Sequence, residues 1–232
     1  MSGTDKRTRP TTCRMFDTPL IEFFSRIHPL SPFAFWVPTL GLLSAYVLYR
    51  GMSAALLVAL AAAGWLAWSL VEYLLHRYVF HYVKPRPWQR RFHFIAHGVH
   101  HDFPQDAARL VMPLGVSIPL GLAFFLVALA LFPLDITIAL MVGFGGGYLL
   151  YDAIHYATHH LRPRTRLGKY LKKYHMVHHT GVEGLWGVSQ PLWDFVLGTY
   201  LDLDGRPPGT KPVPDRPRSA SAAPATPAEA SR

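Results

Sequence analysis

The stretch LVMPLGVSIPLGLAFFLVALALFPL, residues 110–134, contains no charged side chain in 25 positions. A helix needs about 20 consecutive apolar residues to cross the hydrocarbon core of a bilayer, with a range of about 17–25. This stretch is therefore long enough to span a membrane, and it predicts that the chain is embedded in one.

Three further uncharged runs accompany it. In chain order they are residues 33–49, 52–70 and 136–151, with lengths of 17, 19 and 16. The second run continues to Leu75 with Glu72 as its one interruption. The two shorter runs are also compatible with buried core helices, but the short connections at 50–51 and 133–135 favour helical hairpins. We therefore predict an all-α integral membrane fold with about four transmembrane helices.

The basic residues are distributed very unevenly about these runs. The chain has 23 Lys+Arg against 14 Asp+Glu, a net charge of +9, although half of its residues are hydrophobic. Four spans place the N-terminus, segment 76–109 and everything after residue 152 on one side, together with 22 of the 23 basic residues. Only Arg50 lies on the other side. By the positive-inside rule, both termini and all the histidines face the cytosol.

Composition excludes several other classes of protein. An apolar content of 50% is too high for a disordered chain. Cys13 is the only cysteine, so the chain is not a disulfide scaffold. The positive charge would suit a nucleic-acid-binding protein, but the long apolar runs do not. We expect the lipid bilayer, and no nucleic acid, as a partner.

The remaining segments divide the chain into three parts. Residues 1–32 are predicted to be a cytosolic N-terminal segment, with no signal peptide and with a short amphipathic helix within 16–32 at the membrane interface. Residues 33–203 form the membrane domain. Pro, Ala and Ser dominate residues 204–232, which predicts a disordered tail.

Histidine is the outlier in the composition. Twelve of the 13 histidines lie in four clusters, HRYVFH at 76–81, HFIAHGVHH at 93–101, HYATHH at 155–160 and HMVHH at 175–179. Spacings of three and four residues place side chains on one face of a helix. His76 and His81 are five residues apart, which turns them about 140° from each other on an ideal helix and indicates a helix end or a local irregularity.

Neutral imidazole is a good ligand for zinc, iron, copper and nickel. Ten imidazoles in tandem sets are too many for one metal, and they suit two metals with about five nitrogen ligands each and a position left for oxygen or water. The sequence contains no Glu-x-x-His motif, so a ferritin-like carboxylate di-iron site is excluded. We therefore predict that a cytosolic helical cap carries a histidine-rich dimetal site.

With these motifs the chain resembles the fatty acid hydroxylase/sterol desaturase superfamily of membrane dimetal oxygenases, and most closely the fatty acid 2-hydroxylases. The likeness covers about residues 70–201 and includes EYLLHR at 72–77, RLVMP at 109–113, GYLLYD at 147–152 and Trp193-Asp194. The resemblance implies ten metal ligands, which leaves His93 and His160 over. The ten are His76, His81, His97, His100, His101, His155, His159, His175, His178 and His179.

The resemblance also implies the chemistry. Two metal ions, expected to be iron with zinc possible after purification, would activate O₂ and insert one oxygen atom into a C–H bond of a lipid acyl chain, most simply at C-2 of a fatty acid or acyl-lipid. We expect no fused cytochrome b5 domain in this chain, so electrons are expected from a separate cytochrome b5-like or ferredoxin-type carrier. Sterol desaturases, sterol C-4 methyl oxidases and carotenoid hydroxylases share such sites and remain alternatives, and a metal transporter is the alternative outside enzymes.

Residues beside the histidines are candidates for supporting roles. Asp152 lies three residues before His155 and can reach the same helix face, where a carboxylate would orient a metal-bound imidazole. Tyr148 and Tyr151 flank Asp152 and are candidates for contact with the lipid head group. The basic stretch 162–173 suits either anionic lipid or an acidic electron carrier.

Overall fold

The structure, a computed structural model, describes residues 11–82 and 85–209, and this described part is helical with no strand. The N-terminal 10 residues and most of the predicted tail, from residue 210 onward, lie outside it. The helices are α1 (Pro19–Phe24), α2 (Ser31–Tyr49), α3 (Ala54–Leu75), α4 (Pro87–His93), α5 (Val99–Asp102), α6 (Leu114–Leu131), α7 (Leu134–His160), α8 (Arg166–His178) and α9 (Leu192–Val196).

Four helical segments are long and apolar enough to cross a membrane, and they correspond to the four uncharged runs. They are Ser31–Tyr49, Ala54–Phe80, Ala107–Leu131 and Leu134–His160. The last is 27 residues long, far beyond the 16-residue run that predicts it. Its extension is possible because Asp152, His155 and His159 are buried against other helices, so their polarity does not end the helix.

Two helices, α3 and α7, form the tightly packed centre of the fold. A Cβ atom on Gly64 would lie 1.9 Å from the carbonyl oxygen of Leu140, and one on Gly143 would lie 1.8 Å from that of Ala61. The two backbones therefore touch where each helix presents a glycine, as small residues permit between membrane helices. Above this contact, Trp68 of α3 packs on Tyr148 of α7.

A cap of short helices covers the histidine-bearing ends of α3 and α7. The N-terminal segment is joined to it by Arg109, which is buried and pairs with Glu22 and Asp106. Helix α1 is six residues long and exposes Leu20, Phe23 and neighbouring apolar side chains. Its location at the membrane interface stays a prediction. At the other end, residues 202–206 close a turn where the tail was expected to begin.

Candidate metal centre

The first two histidines are brought together by an irregularity in the backbone. Helix α3 continues into a π-helical turn, His76–Phe80, in which the His81 amide donates to the His76 carbonyl over 3.1 Å. The wider turn offsets the 140° that an ideal helix would impose. As a result the Nε2 atoms of His76 and His81 are 3.2 Å apart. The five-residue spacing is thus accommodated as the sequence indicates.

The second histidine motif is divided between two sites. A further π-helical turn, Phe94–Gly98, leads into α5 and carries His97. His97 and His101 are four residues apart and share a face, with Nε2 atoms at 3.0 Å. His100 is rotated away from them and its Nε2 lies 3.0 Å from those of His155 and His179.

In all, the structure brings ten imidazoles into two groups. The first group is His76, His81, His97, His101 and His178, and the second group is His100, His155, His159, His175 and His179. Within each group the candidate ligand atoms all lie within 4.8 Å of one another. These are the ten residues that the sequence resemblance implies, five in each group, and their role as ligands remains a proposal.

The dimensions of each group fit a single ion. Neighbouring Nε2 atoms are 3.0–3.2 Å apart in the first group and 2.7–3.1 Å apart in the second. An ion about 2.0–2.1 Å from each nitrogen holds ligands at right angles about 2.9 Å apart. A hydrogen bond can link such nitrogens only in pairs, whereas one cation can satisfy five converging lone pairs.

The protonation state of the imidazoles favours metal binding. Nδ1 of His76 lies 2.5 Å from the Trp186 carbonyl oxygen and Nδ1 of His178 lies 3.1 Å from that of Gly184. A carbonyl only accepts, so each Nδ1 carries the proton and each Nε2 presents a lone pair to its group. Burial and the neighbouring His178 lower the pKa of His101 to about 3, which keeps that imidazole neutral at physiological pH.

One contributor to the first group was missed by the sequence analysis. The indole of Trp186 is buried and its ring centroid lies 4.9 Å from that of His81 and 5.3 Å from that of His178. Trp186 therefore closes one side of the first group and also supplies the carbonyl to His76. No spacing in the sequence links residue 186 to the histidines, so no signal was available.

The three residues predicted to support the site are near it but are not joined to an imidazole by a hydrogen bond. Asp152 is fully buried and neither carboxylate oxygen has a partner among the described residues. The expected bond from Asp152 to His155 is thus absent, and Nδ1 of His155 is likewise unpaired. The ring of Tyr151 lies 5.5 Å from that of His155. Tyr148 lies earlier on α7, farther from the histidines, and its ring packs on Trp68.

The two remaining histidines of the clusters belong to neither group. Nδ1 of His93 is hydrogen-bonded to the Phe80 carbonyl, and its ring is 6.2 Å from that of His81. This bond links α4 to the first π-helical turn. The ring of His160 stacks on Tyr156 at 4.7 Å and points away from His159.

An apolar cavity lies between α2, α6 and α7, and none of the ten imidazoles lines it. Its volume is about 390 Å³ and its lining includes Phe35, Leu40 and Phe144. A much smaller cavity is lined by His76, Glu72 and Tyr151, among others. Trp68 and Met112 border both cavities and so form the wall between them.

The sequence of this chain is similar to those of known proteins over most of its length. A sequence model of the family described as fatty acid hydroxylase matches residues 61–199. The chain is 34% identical over 201 residues to dihydroceramide fatty acyl 2-hydroxylase FAH2 of Arabidopsis thaliana, covering 82% of this chain and 83% of that protein.

Two further comparisons extend this result. The chain is 35% identical over 209 residues to ceramide very long chain fatty acid hydroxylase SCS7 of Saccharomyces cerevisiae, covering 86% of this chain and 54% of that protein. A solved structure of full-length scs7p, with only the hydroxylase domain visible, superposes with a TM-score of 0.71 at 32% identity, covering 80% of this chain and 71% of that one. The chain belongs to the fatty acid hydroxylase family.

Proposed function

We propose that this protein is a membrane monooxygenase that hydroxylates a lipid acyl chain at C-2, in a fatty acid or an acyl-lipid. The observation that carries the proposal is the pairing of two five-imidazole groups with an apolar cavity between the membrane-spanning helices, which Trp68 and Met112 separate from the first group. Relatives at 34% and 35% identity are named as fatty acyl and fatty acid hydroxylases. A metal transporter needs ligands near the middle of the membrane, whereas these histidines lie at helix ends and in the cap.

The cavity is suited to an acyl chain. Pockets of about 300–1,000 Å³ with apolar linings typically hold small ligands, and this one measures about 390 Å³. Its wall consists of side chains from membrane-spanning segments, so an acyl chain can enter from the lipid. Trp68 and Met112 separate it from the small cavity at His76. We infer that these two side chains move to let the end of the chain that carries the head group reach the metals.

In this proposal the ten imidazoles would hold two iron ions, which would supply O₂ activation when bound. In the net reaction one oxygen atom enters a C–H bond and the other leaves as water, with two electrons and two protons consumed. Seven of the ten imidazoles are buried, and with the Trp186 indole they would keep bulk water from the reacting atoms. Tyr151 borders the small cavity beside His76, and Tyr148 borders the large one, so both can contact the substrate. Asp152, three residues before His155 on α7, is proposed to orient that imidazole.

The electrons are proposed to come from a separate, acidic carrier of the cytochrome b5 or ferredoxin type. Helix α8 follows a basic connection and carries His175 and His178 on its buried face. Its opposite face and the connection expose basic side chains. These are Arg162, Arg164, Arg166, Lys169 and Lys173. Complementary charge steers an acidic protein toward such a surface, which includes the face of α8 opposite His175 and His178.

We further propose that the cap and both termini face the cytosol, on the basis of the 22-to-1 distribution of basic residues. Arg50 and Arg164 are both exposed and lie on opposite predicted sides. In a Cys13→Ser background, a membrane-impermeant maleimide added to intact cells should label Arg50→Cys, and should label Arg164→Cys only after the membrane is opened. The reverse pattern would invert the proposed orientation.

The proposed activity is tested with the full chain in membranes supplied with ferrous iron, O₂ and reduced cytochrome b5 or ferredoxin. Mass spectrometry of the lipids is expected to detect 2-hydroxy acyl chains. Omitting the carrier should reduce the product to background. Oxidised sterol or carotenoid without a 2-hydroxy acyl product would contradict the acyl assignment, and full product without any added carrier would contradict the separate donor.

A pair of glycine variants ties this product to the cavity. Gly121 lines the cavity, whereas Gly115 lies on the same helix with nothing within 4 Å of an added Cβ. Gly121→Leu should fill part of the cavity and shift the product toward shorter acyl chains. Gly115→Leu should leave the chain-length profile unchanged. Identical profiles in both variants would place the acyl chain elsewhere.

A further inference from the structure

We propose that Glu72 and Asp194 are positioning residues for the first metal: their carboxylates fix the loop 184–189, and that loop orients two of the five ligands. The inference rests on the proposed function in one respect, that the first group binds a metal ion. The effect of these two carboxylates is on the affinity of the first group alone. The family resemblance does not imply such a role.

The loop reaches the ligands through its backbone. The carbonyls of Gly184 and Trp186 accept from Nδ1 of His178 and His76, respectively. Leu185 stands between them with φ +59°, a left-handed conformation that is unusual for a residue other than glycine. Such a conformation persists only where the surroundings enforce it, and it is common near functional sites. The side chain of Leu185 is 1% exposed, so packing is one of the enforcing contacts.

The carboxylates of Glu72 and Asp194 supply the other contacts that hold the loop in this conformation. Glu72 is 3% exposed, and its Oε1 accepts from the amides of Val188 and Ser189 at 2.8 Å each. Its Oε2 accepts from the Ser189 hydroxyl at 2.6 Å. A carboxylate buried in this way is retained because each oxygen has a donor. Glu72 thus holds the C-terminal half of the loop to α3, the helix that leads directly into His76.

Asp194 holds the other half. It is fully buried at the start of α9, and its Oδ1 accepts from the Trp186 amide at 2.9 Å and from the Thr199 hydroxyl at 2.7 Å. Its Oδ2 accepts from the Gly187 amide at 2.8 Å and from the Tyr174 hydroxyl. Asp194 therefore fixes Trp186 at its backbone amide, and the carbonyl of the same residue accepts the hydrogen bond from His76.

The second group has no equivalent support in the described part of the chain. Nδ1 of His155 and Nδ1 of His159 are both buried without a hydrogen-bond partner there. Outer partners that orient metal-bound imidazoles typically change metal affinity about 10- to 100-fold when they are lost. Loosening the 184–189 loop should consequently weaken the first metal and leave the second in place.

The two carboxylates should respond in opposite ways to replacement by their amides. Both Asp194 oxygens accept from a backbone amide, so Asp194→Asn places an NH₂ group against an N–H donor on one side or the other. Glu72→Gln can keep its carbonyl oxygen on the two backbone amides, and its NH₂ can donate to the Ser189 hydroxyl, which also accepts. Glu72→Gln should preserve the loop, whereas Glu72→Ala should release it.

The experiment measures ferrous iron bound per chain, in the purified full-length protein titrated against a chelator. We expect the first-group affinity to fall about 10- to 100-fold in Asp194→Asn and Glu72→Ala, and to stay at the wild-type value in Glu72→Gln. At a chelator concentration that strips the weakened first metal from Asp194→Asn, adding His159→Ala should remove the remaining metal, and adding His81→Ala should remove nothing more. The Glu72→Ala and Glu72→Gln pair carries the test if Asp194→Asn does not fold.

Several results would overturn the inference. One is an unchanged affinity of both metals in Asp194→Asn and Glu72→Ala, and another is an equal loss of both metals, which would indicate a general structural role. Loss of the first metal in Glu72→Gln as great as in Glu72→Ala would refute the hydrogen-bond argument. A wild-type chain that fails to bind two ions would instead contradict the proposed metal centre, and this is measured before any variant.

Discussion

Replacing His100 by Ala is expected to abolish hydroxylation while the protein remains folded in the membrane. His100 belongs to the second group, and its Nε2 lies 3.0 Å from those of both His155 and His179. Its removal leaves four converging nitrogens and a gap beside the first group. Loss of an outer partner of a metal ligand typically costs about 10- to 100-fold in activity, so loss of a ligand itself should cost at least about 100-fold. The measurement is product formation per chain, alongside iron content.

A neighbouring histidine provides the matched control. His160 follows His159 on α7, has its ring against Tyr156 and belongs to neither group. His160→Ala should keep most of the activity, although it deletes the same number of atoms from the same region. The first group offers a second test, because His178→Ala should be as damaging as His100→Ala. Retained activity in either ligand variant would remove that residue from the proposed metal centre.

The sequence allows the membrane helices and their histidine motifs to be predicted because both leave local patterns. A bilayer demands long uncharged runs, and helical spacing at 97–101 and 175–179 places imidazoles on one face. The five-residue spacing of His76 and His81 also predicts an irregular helix at this point, and the structure has a π-helical turn there. The uncharged run ends at residue 151, whereas α7 continues to His160. A charged or polar residue ends an apolar run in the sequence, but it does not end a helix in which that residue is buried.

The division of the histidines into two groups depends on tertiary contacts that no spacing encodes. His97 and His101 join one group and His100 the other, although all three lie within five residues. The loop at 184–189 is harder still to foresee, because it acts through backbone carbonyls that every residue has. Glu72 could be picked out as a carboxylate near His76, but its partners prove to be amides 116 and 117 residues farther along the chain.

The contact of α3 with α7 carries the second large prediction, that Gly143→Ala destabilises the whole protein. The added methyl group would lie 1.8 Å from the Ala61 carbonyl oxygen and 2.4 Å from its carbonyl carbon. Both are backbone atoms of α3, so no side-chain rotation can make room and the helices must separate. Overpacking typically costs about 1–3 kcal/mol, occasionally more, and we expect the upper end because the clash is with helix backbone and not with a movable side chain.

Gly146→Ala is the control, since Gly146 lies on the same helix and nothing is within 4 Å of a Cβ added there. That change should be neutral or stabilising, because alanine favours a helix interior over glycine by about 1 kcal/mol. The measurement is the thermal unfolding midpoint and the yield of monodisperse protein in detergent for the two variants. Separating α3 from α7 also moves His76 away from His155 and His159, so iron content should fall in Gly143→Ala and not in Gly146→Ala. Equal stability of the two variants would mean that the helices do not meet at Gly143, and the relative placement of the two imidazole groups would have to be revised with them.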